Sequence, residues 1–171
     1  FLLPNKPETI PLRPLKEIPK DLNTFFSKDL DLNARLLAGC EGGGAKALIQ
    51  HCSAGSVDGD VEQIVGNALL FSADDPIPPL VKLLENDNVR TKAYALYILG
   101  MLGDSRALPH IQKHVDDKTP LYEWIGRETL EQEARQALKR IQEYADKPET
   151  LIKHKKELET FYIGLASEKQ P

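Results

Sequence analysis

The apolar positions of this chain recur at helical spacing from Asp21 onward. Asp21 can accept hydrogen bonds from the first backbone amides of a helix, and an apolar stripe follows it at i, i+3, i+4 and i+8. That stripe comprises Leu22, Phe25, Phe26 and Leu30. A second short helix is predicted to reach about Ala38, with Leu32, Leu36 and Leu37 along it.

A run of glycines separates these helices from the next one. Gly42-Gly43-Gly44 cannot form a stable helix interior, because each glycine costs about 1 kcal/mol relative to alanine there. A helix is predicted to restart over Ala45–Cys52, and Ser53–Asp60 is predicted to be a loop. The chain therefore begins with a helical hairpin that turns at the glycines.

A helix–turn–helix pattern then occurs twice, about thirty residues apart. In the first copy, Val61–Ala73 precedes a turn and a second helix over Leu80–Glu85. In the second copy, Arg90–Gly103 precedes a turn and a second helix over His110–Val115. The turns match at offsets of 29 and 30 residues, in the pairs Asp75 with Asp104 and Pro79 with Pro109. A third unit is predicted from Thr129, after an insertion.

The first helix of the second copy indicates why such pairs must stack. Ala93–Leu102 is apolar nearly all round, so neighbouring helices must cover it on several sides. Its small residues, Ala93, Ala95 and Gly100, allow those neighbours to approach closely. Gly103 suits the left-handed position that ends a helix, and Asp104 can cap the next one. One pair cannot bury this surface alone, which predicts a stack of pairs.

Two stretches of the second copy carry a family pattern. They are Val89-Arg90 with Ala93, and Leu99-Gly100-Met101-Leu102-Gly103-Asp104-Ser105-Arg106-Ala107-Leu108-Pro109. This pattern resembles the short bacterial HEAT-like repeat, also called the phycobiliprotein-lyase-type HEAT repeat. The resemblance covers Val89–Val115 well, Asp60–Glu85 moderately and Thr129–Ile141 poorly. It implies an all-α fold, an α-α superhelix or HEAT-like solenoid of antiparallel helix pairs. It also implies that this fold serves as a binding scaffold, and it implies no reaction.

Proline spacing and a last set of helix signals divide the chain into three parts. Residues 1–19 contain five prolines, which predict an extended arm packed along the helices, although Pro11–Lys16 also fits the pattern that SH3-type grooves bind. Residues 20–147 are predicted to form the HEAT-like domain. Residues 148–171 are predicted to form a capping helix and tail, with Asp146 as its cap. A partner-binding helix is the alternative. Its stripe comprises Leu151, Lys155, Leu158, Tyr162 and Leu165.

Charge and hydropathy narrow the classes of partner. The net charge is −4, and residues 31–75 carry seven acidic side chains against two basic ones. This balance disfavours nonspecific nucleic-acid binding, which needs lysine and arginine to displace counterions from phosphates. No apolar run approaches the roughly 20 residues of a membrane-spanning helix. We therefore expect a protein partner, with no nucleic acid and no membrane span.

The cysteine count and the first residues of the chain are relevant to the cellular compartment of the protein. Cys40 and Cys52 are too few for a disulfide framework, and the helix predicted before Cys52 carries it away from Cys40, so free thiols are expected. The chain starts at Phe1 without an initiator methionine, and its proline-rich beginning is compatible with export. These features favour an exported or periplasmic location over a cytoplasmic one.

Several motifs resemble catalytic or cofactor sites only in part. In Gly39–Lys46, Ala45 separates the last glycine from Lys46, and Ala47 stands where a phosphate loop has serine or threonine, so a hairpin turn is predicted. No histidine is followed by glutamate, which excludes the tandem His-Glu iron sites of one HEAT-repeat hydroxylase family. His51 and Cys52 are adjacent, but neighbours on a helix point about 100° apart. No cofactor is expected.

Two histidines at helical spacing form a candidate site. His110 and His114 share one side of a helix, with Asp117 nearly on the same stripe. That arrangement allows a metal site, but a polar stripe beside the buried Ile111 is the alternative. The repeat offset places two leucines at the matching positions of the previous unit. Since second helices line the concave surface of HEAT-like solenoids, four residues are predicted to line a binding groove: Leu80, Leu84, His110 and His114.

The insertion between the second and third units holds the only tryptophan of the chain. Tyrosine and tryptophan are enriched at binding hot spots, and insertions in solenoids often lie on one functional face. Tyr122 and Trp124 are therefore candidate partner-binding residues. The alternative is a plug that covers the end of the third helix pair.

These patterns predict a non-catalytic protein–protein interaction scaffold, either an adaptor or an inhibitor of a partner protein. The prediction rests on a repeat scaffold without a coherent catalytic set, so we expect no enzyme. The alternative is a bilin-lyase-like enzyme or ligand carrier with a concave pocket near His110 and His114. DNA-repair-like HEAT binding is a third interpretation, which the acidic balance disfavours. The partner's identity and the oligomeric state stay open at this point.

Overall fold

The computed structural model describes Ile10 and residues 13–53, 60–122 and 128–168. In this part of the chain the secondary structure consists of nine α-helices and three short 3-10 turns. The helices are α1 (Leu22–Lys28), α2 (Leu30–Ala38), α3 (Gly44–Cys52), α4 (Asp60–Leu69), α5 (Ile77–Leu83), α6 (Val89–Leu102), α7 (Leu108–Ile111), α8 (Leu130–Asp146) and α9 (Pro148–Glu168). The fold is all-α and HEAT-like, as the helical spacing and the repeat predicted. No helix of the described residues is long and apolar enough to cross a bilayer.

Two aspartates set the start of the first hairpin. The Asp21 side chain accepts a hydrogen bond from the Thr24 amide, and the Asp29 side chain accepts one from the Leu32 amide. Asp29 has extended backbone angles, so it ends α1 and caps α2. The prediction that Leu30 continues the stripe of the first helix is therefore wrong, because Leu30 is the first residue of α2.

The second repeat has the predicted end of its first helix and a shorter second helix than expected. Gly103 ends α6 in the left-handed conformation, with φ 68° and ψ 16°. The Asp104 side chain then accepts from the Arg106 amide, as predicted. The prediction of one helix over His110–Val115 is wrong, because α7 has four residues and lies between two 3-10 turns.

The longer helices form one layer in chain order. α2, α4, α6 and α8 each contact the next, while α3 packs on α2 and α4, and α5 packs on α6. At the contact between α6 and α8 the backbones come unusually close. A Cβ atom added to Gly100 would lie 2.8 Å from the Cα of Ala137. Small residues therefore allow the close approach that the sequence predicted for α6.

The last helix crosses the layer and reaches the first hairpin. α9 contacts both α8 and α2, whereas the sequence predicted a cap on the last repeat only. Leu158 and Tyr162 are its buried residues, and they pack with Ile10 in a small core that is separate from the main one. Asp146, the predicted cap of this helix, is instead the last residue of α8, and its side chain accepts from Gln142.

The described part of the N-terminal arm combines extended backbone with one tight turn. Pro14 has φ −64° and ψ 146°, which is polyproline II geometry, and Ile18 is also extended. Leu15–Glu17 forms a 3-10 turn between them. Ile10 and Ile18 are both buried against the helices, so the arm contacts the domain at these two positions.

Candidate partner-binding groove

The second helices of the repeats border an open cleft of about 720 Å³ between α3 and α5. Lys46 and Gln50 line it from α3, and Pro78, Pro79 and Leu83 line it from α5. Both prolines lie in the first turn of α5, where an amide hydrogen would have no intrahelical acceptor. They therefore form a rigid apolar ledge without weakening the helix.

A second cleft of about 490 Å³ lies on the other side of α5. It shares Pro78, Lys82 and Glu85 with the first cleft and extends to Arg106 and His110. The two clefts therefore form one surface, which we call the second-helix groove. It is lined by Gly43, Ala45, Lys46, Gln50, Asp74, Asp75, Ile77, Pro78, Pro79, Val81, Lys82, Leu83, Glu85, Asn86, Arg106 and His110.

Two of the acidic side chains beside this groove are engaged within the protein. The Asp74 carboxylate accepts from the Gly42 and Gly43 amides at 3.3 and 2.7 Å. Asp75 pairs with Arg106 at 2.6 Å between Oδ2 and Nη1, and this bond lowers the pKa of Asp75. These contacts join neighbouring repeats, because each acidic side chain binds a group of the adjacent unit.

The lysines of the groove are not engaged in this way. Within the described part of the chain, neither Lys46 nor Lys82 has an ion-pair partner, and both are exposed. Glu85 is the carboxylate of the groove that likewise has no partner there. The groove thus presents two ammonium groups without ion-pair partners among the described residues, beside the Glu85 carboxylate and the two aspartates that already accept hydrogen bonds within the protein.

The glycine run serves the hairpin turn that was predicted in place of a phosphate loop. Gly42 and Gly43 have φ values of 79° and 123°, which side-chain-bearing residues rarely adopt. In this conformation their successive amides form a small anion-binding concavity. Asp74 occupies it, so the loop binds a carboxylate of the next repeat.

The two leucines predicted to line a groove lie in the core. Leu80 is 0% exposed and Leu84 is 5% exposed, so neither offers surface to a partner. Their buried counterparts in the next unit are Ile111 and Val115, which lie 31 residues further along the chain. The turn offsets of 29 and 30 therefore place the second helix one residue out of register. His110 and His114 correspond to Pro79 and Leu83, which do line the groove.

The two histidines occupy different surroundings. His110 lines the second-helix groove beside Arg106, whereas His114 is largely covered, with Nδ1 4.0 Å from Asp117 Oδ2. Burial, followed by the positive charge of Lys92, lowers the pKa of His114. Across the described residues, no group of three or more potential ligands could hold a metal ion. The four residues predicted to line one groove therefore do not form a single site, because Leu80 and Leu84 are buried and His114 is largely covered.

The insertion has one buried and one exposed side chain in its described part. Leu121 is buried in the main core, and its amide donates to the Glu128 carbonyl at 2.9 Å. Tyr122 is 78% exposed, and its carbonyl accepts from Arg90 at 3.4 Å. Trp124 lies outside the described residues. In this part of the insertion, Leu121 is thus a core residue and Tyr122 is exposed to solvent.

The sequence did not lead us to predict a buried polar cluster, which comprises Glu62 and Cys52. Glu62 of α4 is 0% exposed, and both of its carboxylate oxygens lack a hydrogen-bond partner. Burial raises the pKa of Glu62, and it also raises the pKa of nearby Cys52 to about 11, with a smaller contribution from Glu62. The signal was present, because Glu62 precedes Val65 and Leu69 at i, i+3 and i+7 on the buried stripe of α4. Both cysteines are free thiols.

The fold and the groove define a helical-repeat protein of the HEAT-like kind. Residues 91–117 match the family model described as the PBS lyase HEAT-like repeat. This segment runs from α6 beyond α7, and the match confirms the resemblance that was stated for Val89–Val115. No curated protein and no solved structure matches the chain.

Proposed function

We propose that this chain is a protein-binding scaffold whose second-helix groove holds an extended segment of a partner protein. The segment carries an apolar side chain beside an acidic one. The observation that carries the proposal is the continuity of the two clefts through Pro78, Lys82 and Glu85.

The apolar part of the recognition comes from α5. Pro78, Pro79 and Leu83 form a ledge along the larger cleft, and the proline rings lose little conformational entropy when a ligand packs on them. A preformed surface of this kind lowers the ordering cost of binding. A single aliphatic or aromatic anchor seated on this ledge supplies most of the affinity.

The acidic part of the recognition comes from the lysines. Lys46 and Lys82 lie on the two walls of the larger cleft, and the neighbouring Asp74 is held by the glycine amides. An aspartate or glutamate of the partner can therefore pair with a lysine without displacing an existing ion pair. Exposed pairs contribute only about 0.2–1 kcal/mol, so they select the partner's sequence and orientation more than they add affinity.

Peptide selection tests this proposal. A random twelve-residue library is selected against the wild-type chain, and the consensus peptide is measured by fluorescence polarisation. We expect an acidic residue next to an apolar one in the consensus. The Lys82→Glu variant should bind that peptide about 5- to 10-fold more weakly, because the substitution replaces an attraction with a repulsion.

The matched control is Lys156→Glu, which makes the same charge change at an exposed position on α9. Its affinity for the peptide should equal that of the wild type. Failure to enrich any peptide, or equal binding by the Lys82→Glu variant, would contradict the proposal.

The insertion is proposed as a second contact with the same partner. In the Tyr122→Ala/Trp124→Ala double variant, loss of the exposed Tyr122 side chain should change the free energy of unfolding by no more than about 0.5 kcal/mol, and circular dichroism checks that the double variant is folded. Loss of two hot-spot side chains should lower the affinity for the intact partner by about 30-fold. The partner is first identified as a protein that binds the wild-type chain and binds the Lys82→Glu variant more weakly. The dissociation constant of its complex with the chain is then measured by calorimetry. Unchanged affinity in the folded double variant would remove the insertion from the interface.

A further inference from the structure

The first half of α9 borders a cleft above the layer formed by α4, α6 and α8. Leu158 and Tyr162 anchor the second half in the small core. On the N-terminal side of Leu158, α9 and the layer of longer helices border a cleft of about 410 Å³. Its floor and walls come from α4, α6 and α8, and it shares no lining residue with the second-helix groove.

One positive charge in this cleft is uncompensated. The Arg140 guanidinium carbon lies 5.0 Å from the centre of the Tyr97 ring, and no carboxylate among the described residues pairs with it. Lys153 has Glu157 4.0 Å away, so these two charges offset each other. The cleft therefore carries one net positive charge, held against an aromatic face.

The remaining walls combine aromatic and soft apolar surface. Tyr97 and Met101 line it from α6, and Tyr144 lines it from α8. His154 Nε2 donates to Asn67 Oδ1 at 3.2 Å, which ties the roof helix α9 to α4 beside the cleft. Planar rings stack on tyrosine faces, and a methionine sulfur packs favourably against ring edges.

We propose that this cleft binds a small planar aromatic monocarboxylate. The Arg140 guanidinium lies over the Tyr97 ring, and its N–H groups have no hydrogen-bond partner among the described residues, so two of them can donate parallel hydrogen bonds to a carboxylate. The ring of the ligand packs against Tyr144 and Met101. One excess cation selects a monoanion, and a volume near the lower end of ligand pockets, which is about 300 Å³, selects an acid of one or two rings.

Calorimetric titration of the full chain tests this assignment with two matched probes. Indole-3-carboxylate and its neutral amide, indole-3-carboxamide, have nearly the same shape and differ in charge. We expect saturable binding of the acid at one site, and binding of the amide that is at least about tenfold weaker, because a charge-assisted bidentate bond is lost. Equal binding of the two probes, or no binding of the acid, would overturn the proposal without any variant.

Two variants locate the site. Arg140→Gln should weaken binding of the acid by at least about tenfold, and Lys139→Gln, an exposed neighbour on α8 outside the cleft, should leave it unchanged. Inorganic phosphate serves as a third probe. Phosphate binding as tight as that of the acid would show an anion site without aromatic selectivity and would contradict the proposal.

Discussion

Replacing Gly100 with valine is expected to lower the free energy of unfolding by about 3 kcal/mol, the upper end of the cost of overpacking a core. A Cβ at this position would lie 2.8 Å from the Ala137 Cα and 3.1 Å from its Cβ, so α6 and α8 must move apart. Valine adds two further methyl groups in the same space. Urea unfolding of the wild type and the variant measures the difference.

Gly164 provides the matched control for this substitution. It also lies within a helix, α9, but a Cβ added there meets no atom within 4 Å. Gly164→Val should therefore unfold no more easily than the wild type, because valine has a better helix propensity than glycine. A Gly100→Val variant within about 0.5 kcal/mol of the wild type would contradict the close stacking of α6 on α8.

Glu62→Gln is expected to stabilise the protein above neutral pH by about 1–3 kcal/mol, because glutamine carries no charge, and a buried carboxylate without a partner costs at least as much as an unsatisfied neutral polar group. Glu62 is fully buried without a hydrogen-bond partner, and burial raises its pKa above the ordinary value of 4.5. Arg90 of α6 opposes this rise, whereas Glu133 of α8 and Asp60 of α4 add to it. The measurement is the free energy of unfolding between pH 4 and pH 8.

The direction with pH follows from proton linkage. In the unfolded chain Glu62 titrates near 4.5, and in the folded protein it holds its proton to higher pH. Its favourable contribution is therefore complete below pH 4.5 and is lost as the pH rises through the folded pKa. Glutamine does not titrate, so the variant and the wild type should differ little near pH 4 and diverge above it.

A control substitution separates this effect from the loss of a glutamate in general. Glu143 lies exposed on α8, and Glu143→Gln should follow the wild-type profile over the whole range. If the stability of the Glu62→Gln variant parallels that of the wild type at every pH, the carboxyl is not buried without a partner as described.

Local signals in the sequence predicted the local structure well. Gly103 and Asp104 mark the turn of the second repeat because a left-handed residue and a capping carboxylate act within a few residues of chain. The apolar surface of α6 likewise predicted a helix covered by neighbours on several sides. The repeat pattern was sufficient for the HEAT-like assignment, which the family match over residues 91–117 confirms.

Contacts between distant segments of the chain could not be predicted from local sequence patterns. Periodicity identifies a stripe but not which neighbour covers it, so Leu80 and Leu84 were placed in a groove although they face the core. The path of α9 depends on Leu158 and Tyr162 meeting Ile10, and no local pattern specifies that meeting. The binding of Asp74 by the glycine amides also joins residues about thirty positions apart.

The second-helix groove is proposed to bind a partner segment that carries an acidic side chain beside an apolar one. Amide chemical-shift mapping of the isotope-labelled chain with the selected peptide tests it most directly. We expect the largest shifts at Lys46, Gln50, Lys82 and Asn86, on the two walls of the larger cleft. Shifts that centre on α9 or on Tyr122, with the groove unchanged, would contradict it.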